Sequence, residues 1–92
     1  MEIKELVNYI CAALSEKKAK DIDVIDVKDM TSLTEAFIIC SAKSSTAVKA
    51  IADNVEEKMT ELGREPMHKD GNKEARWIVL DYDEVIVHVF YE

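Results

Sequence analysis

Asp23 and Asp26 stand three residues apart in the β-branched segment Ile22-Asp23-Val24-Ile25-Asp26-Val27. Paired carboxylates on a strand can hold divalent cations for phosphoryl chemistry. Side chains alternate along a strand, however, so residues three apart face opposite ways and cannot jointly grip one ion. Both read as solvated strand-edge charges. Ser41-Ala42-Lys43-Ser44-Ser45 runs from an apolar segment toward a helical pattern, the placement used by phosphate loops. A phosphate loop needs glycines so that backbone N–H groups can close on the oxygens, and this segment has none. Helix capping is the better reading, with a weak anion site at the helix start left open.

His68 precedes the last two apolar segments, and His88 lies within the final one beside Ile86 and Phe90 at alternate positions. That pattern predicts a partly buried, hydrogen-bonded histidine at 88 rather than a catalytic one. Cys11 and Cys40 fall inside apolar segments and read as buried reduced thiols. Two separated cysteines with two histidines lack the spacing of a structural zinc site. No nucleophile has an identifiable base at motif spacing. Trp77 and Tyr82 are the residue types that anchor protein interfaces, and equally ordinary core residues. Trp77 divides evenly between the two roles, whereas Tyr82, at a hairpin tip, is expected to be exposed.

These residues must be positioned by seven short segments. Ile3, Leu6, Val7, Ile10 and Leu14 recur at helical spacing over residues 3–18, and Lys17, Lys18 and Lys20 follow where cations favour a helix C-terminus. Residues 22–27 read as a strand. Ala36-Phe37-Ile38-Ile39-Cys40 is a continuous apolar run, which predicts a strand covered on both faces. Ser44 or Ser45 then caps a helix striped by Val48, Ile51, Ala52, Val55, Met59 and Leu62, with Gly63 as its left-handed stop. Pro66 favours extended backbone in the residue before it, so residues 65–68 begin an extended piece, and Lys69-Asp70-Gly71-Asn72 reads as a turn or loop. Residues 77–80 and 85–90 are two last strands, close enough to form an antiparallel hairpin. The order specifies an α/β fold, a mixed β-sheet covered by two main helices.

Ninety-two residues make one domain, spanning residues 1–92, and such a chain buries about two thirds of its unfolded surface. With 19 acidic against 12 basic residues the formal charge is −7. Nucleic-acid affinity rests on a basic face, and no run of lysine or arginine suggests one, so direct DNA binding is not expected. An acidic domain instead suits a basic protein partner. No apolar stretch approaches the roughly twenty residues that span a bilayer, and the acidic, helix-patterned start is not that of a secretory leader. A cytoplasmic protein is expected.

Several stretches together resemble one family. They are Lys17-Lys18-Ala19-Lys20-Asp21-Ile22, Asp26-Val27, Ser32-Leu33-Thr34-Glu35-Ala36-Phe37-Ile38-Ile39-Cys40-Ser41 and Val48-Lys49-Ala50-Ile51-Ala52-Asp53. Pro66-Met67-His68, Gly71, Glu74, Trp77-Ile78-Val79-Leu80-Asp81-Tyr82 and Val85-Ile86-Val87-His88-Val89-Phe90 continue the series. In order and spacing this resembles the ribosomal silencing factor (Iojap-like) family over nearly the whole chain. The resemblance implies a nucleotidyltransferase-like topology without catalytic residues, a protein that is not an enzyme, and neither cofactor nor metal. It further implies binding to large-subunit ribosomal protein number fourteen, steric exclusion of the small subunit, and a homodimeric free state in some members. By position it assigns partner contact to Trp77, Leu80, Asp81, Tyr82 and Val85, with His68 and Glu74 at the rim.

Two features depart from the family pattern. Asp83 stands where many members carry glycine after the tyrosine, and the sequence ends at Tyr91-Glu92 where most continue into a short aromatic and leucine-containing tail. Two other readings compete. One is a divergent nucleotidyltransferase-like enzyme or nucleotide-binding protein using the Ser41–Ser45 segment with Asp23 or Asp26. The other is a homodimeric scaffold whose Trp77 face is its own interface.

Overall fold

The apolar stripe that begins at Ile3 forms helix α1 (Ile3–Glu16), which buries Leu6, Ile10, Ala13 and Leu14. The architecture comes from a computed structural model that describes residues 2–30, 34–71 and 76–92. Lys17 is the C-cap, and Lys18 takes a left-handed conformation at φ 60°. The Lys18 and Ala19 N–H groups donate to Ser15 and Leu14 carbonyls, closing the helix as glycine usually does. Strand β1 (Lys20–Asp26) and strand β2 (Ala36–Ala42) follow.

Ser44 accepts from the Ala47 N–H at 3.1 Å and so caps helix α2 (Ser45–Glu61). Gly63, at φ 76°, ends α2 with donation from Gly63 to Thr60 and from Arg64 to Met59. Strands β3 (His68–Gly71), β4 (Trp77–Asp81) and β5 (Val85–Tyr91) complete the chain. Lys69 to Gly71, expected as a turn, are instead an edge strand paired antiparallel with β4. The Gly71 backbone lies so close to β4 that an added Cβ would meet the Trp77 carbonyl oxygen at 2.7 Å.

The sheet order is β1-β2-β5-β4-β3, with β2 and β5 parallel at the centre and the other pairs antiparallel. This is the mixed sheet with two helices that the sequence specifies. Both helices lie on one face, where Ile38, Cys40, Leu80, Val87 and Val89 join the core formed with Leu6, Ile10, Val48 and Val55. Asn54 donates from Nδ2 to the Ala13 carbonyl at 2.8 Å, a buried hydrogen bond that ties α2 to α1. β2 is not covered on both faces: its residues alternate between buried and half-buried, because none of the described residues packs on the side of the sheet away from the helices. Among the described residues, no helix is long and apolar enough to cross a membrane.

Candidate functional site

Strand register sorts every residue of the uncovered sheet face into three rows. Ile25, Phe37, Ile86, Asp81 and His68 form the first, Asp23, Ile39, His88, Val79 and Asp70 the second. Lys20, Ser41, Phe90 and Trp77 form the third. The middle of this face is apolar and aromatic, and carboxylates stand at its two margins, Asp23 on β1 and Asp70 and Asp81 on β3 and β4. Phe37, Trp77, Val79, Ile86 and His88 are half-buried by one another, with Phe90 36% exposed. A shallow concavity of about 350 Å³ lies among Phe37, His68, Trp77, Asp81, Ile86 and His88.

His88 is the polar centre of the face. Its ring meets Phe37 edge-on at 5.4 Å and stacks on Phe90 at 6.1 Å. Its Nε2 is buried without a hydrogen-bond partner, contrary to the hydrogen-bonded histidine expected. Burial pushes its pKa below the ordinary value, so the ring is neutral near pH 7. A neutral imidazole with one idle nitrogen can offer or accept a hydrogen bond once a partner covers it.

The hairpin residues assigned by position divide between the two faces. Trp77, Asp81 and His68 belong to the open face. Leu80 and Val85 are 0% exposed and Tyr82 is 2% exposed, all three in the core beneath the helices. The expectation of surface contact fails for these three, and so does that of an exposed Tyr82. The tip folds Tyr82 inward because Asp83 turns the chain at φ 73°, its N–H donating to Asp81 Oδ1 at 2.8 Å, while the Tyr82 N–H donates to the Val85 carbonyl. Burial first, and the Glu56 and Glu65 charges second, raise the Tyr82 phenol well above its usual pKa. Arg64 pairs with Glu84 across the same turn. Glu74 lies outside the described residues.

Phe37, Ile39, Val79, Ile86, His88 and Phe90 share the face, although the positional assignment omits them. Alternation from Trp77 would have found Val79 and excluded Leu80. Asp23 opposes Ile39 on the open face and Asp26 opposes Ala36 on the helix face, so the two carboxylates do point apart. Ser44 is spent on its cap, and Ser41 lies in β2 with its hydroxyl near the Lys20 carbonyl and Asp21. Cys40 is buried and Cys11 half-buried, both free, and burial pushes the Cys40 thiol up to about 12. Among the described residues no group of three or more His, Cys, Asp or Glu side chains is placed to hold a metal ion.

Comparison with known proteins places this arrangement. The family model "Ribosomal silencing factor during starvation" matches residues 1–92. A ribosomal silencing factor of Bacillus subtilis is 33% identical over 92 residues, covering 100% of this chain and 78% of that protein. Another, from Chromobacterium violaceum, is 35% identical over 89 residues, covering 97% of this chain and 73% of the relative. A crystal structure of a Chromobacterium violaceum protein superposes with a TM-score of 0.94 at 34% identity, covering 99% of this chain and 76% of that one.

Proposed function

This chain belongs to the ribosomal silencing factor family, and from that premise we propose that it damps translation by occupying the large ribosomal subunit. It docks through the open sheet face on large-subunit protein number fourteen and stands where the small subunit would join. Occlusion is the mechanism, and no bond is made or broken. The work is done where ribosomes translate, in the cytoplasm.

One observation carries this reading: an apolar sheet face, bordered by carboxylates, that no layer of the described residues covers. A large uncovered apolar surface marks an interaction site. Trp77, Phe37 and Ile86 supply the desolvated anchors, and Asp81 and His68 the polar rim, where sequence position also assigns Glu74. Leu80, Tyr82 and Val85 support that surface from beneath. The net charge of −7 favours encounter with a basic ribosomal protein. The opposed directions of Asp23 and Asp26 argue against a metal-dependent transferase.

Binding to purified protein fourteen tests the face directly. Trp77→Ala should cost about 2 kcal/mol, roughly a thirtyfold loss of affinity, with an unchanged thermal melt. A folded Trp77→Ala variant that binds as tightly as the parent overturns the assignment. A second copy of the chain suits the same apolar face. Light scattering with and without protein fourteen separates the two uses: a dimer that dissociates as partner is added means that both share it.

A further inference from the structure

Lysines from two separate turns meet at one end of the sheet. Lys17 and Lys18 end α1, Lys20 opens β1, and Lys43 lies between β2 and α2. With Ala42 and Ala47 they line an open basin of about 350 Å³. Four of the twelve basic residues of an acidic chain are thus gathered in one place. None of the four joins an ion pair among the described residues, whereas Lys58, Arg64 and Lys69 do. The contact between the Lys20 and Lys43 amines, ahead of desolvation, lowers the Lys20 pKa, with Glu92 and Asp21 opposing. Like charges brought together this way favour an anion between them. No run of basic residues announces the basin in the sequence, because folding assembles it.

The anion is better read as an extended phosphate chain than as a single nucleotide. The Ser41–Ser45 segment has no glycine, and Ser44 already occupies the Ala47 N–H, so no nest of amides closes on one phosphate. The charges sit on long side chains around an open basin. Tyr91, 43% exposed, is the register partner of Ala42 and so stands beside it. Distributed lysines with an adjacent aromatic ring suit sequence-tolerant contact with RNA. Lys20 and Trp77 lie in the same row, three strand spacings or roughly 14 Å apart. One docking event can therefore engage both.

We propose that the Lys17, Lys18, Lys20 and Lys43 basin grips the sugar-phosphate backbone of RNA next to the protein docking site on the large subunit. This rests on the docking reading above, and the test separates the two. Co-sedimentation with large subunits is measured across a salt series for the parent, for the double variant Lys20→Gln/Lys43→Gln and for Trp77→Ala. The double variant should bind about tenfold more weakly at low salt, with a log–log salt slope shallower by about two, and converge on the parent at high salt. Trp77→Ala should weaken binding at every salt. A double variant that follows the parent throughout overturns the basin while leaving the docking face standing. If the parent fails to sediment with subunits, the docking reading falls, and a labelled hairpin RNA decides the basin. An anisotropy rise lost in the double variant supports it, and no rise with the parent overturns it. Saturable micromolar binding of tripolyphosphate would also overturn it, in favour of a free-nucleotide pocket.

Discussion

His88 carries its imidazole between two phenylalanine rings with Nε2 idle, and that environment has a thermodynamic consequence. Burial holds its folded pKa below the ordinary 6.5, so between those two values the unfolded chain binds a proton that the folded chain does not. Stability then rises with pH across that window and is lost as pH falls through 6.5 toward the folded value. Thermal melts from about pH 7.5 down to about pH 5 should show the parent losing more stability on acidification than His88→Gln. Identical slopes would mean that the ring is solvated in the folded state. Asp83 is the other residue that reads clearly at this scale. It accepts a left-handed turn at φ 73°, a conformation that favours glycine, and its N–H is held by Asp81, which offsets part of the conformational cost.

At the scale of elements, α2 was legible almost completely, because its cap, stripe and glycine stop are local signals that agree with one another. The strands were legible in existence and order but not in phase. β2, β4 and β5 carry apolar residues on both faces, so the sequence contains no alternation to say which side meets the helices. In β5 the small valines 85, 87 and 89 pack beneath the helices while the larger Ile86, His88 and Phe90 face outward. Carrying contact residues over by position takes no account of strand phase, and so the assignment mixes Leu80, Tyr82 and Val85 of the helix side with Trp77 and Asp81 of the open face. The extended piece expected from residue 65 runs later, as β3, because Lys69-Asp70-Gly71 is polar and paired on one side only, which is what a loop looks like in sequence. The helix layer itself depends on a polar link that no pattern foretells. Removing it by Asn54→Ala leaves the Ala13 carbonyl buried and unpaired, and urea denaturation should register a loss of about 1–3 kcal/mol. A loss below a few tenths of a kcal/mol would show that water replaces the amide.

For the whole molecule, two helices on one face of a five-stranded sheet leave the other face bare among the described residues. The buried core lies on the helix side, so the residues that hold the fold together and those that line the open face are largely different ones. Charge is divided likewise: carboxylates border the apolar face while lysines collect at its corner, so one acidic chain presents both an apolar face and a cationic edge. The open sheet face is proposed to be what blocks the ribosome. Subunit joining followed by light scattering, with the parent and with Phe37→Asp, tests this most directly, since Phe37 lies on that face against His88 and outside the helix-side core. The parent should suppress joining, and folded Phe37→Asp should leave joining as fast as it is without added protein. If folded Phe37→Asp suppresses joining as fully as the parent does, the open sheet face is not the docking surface.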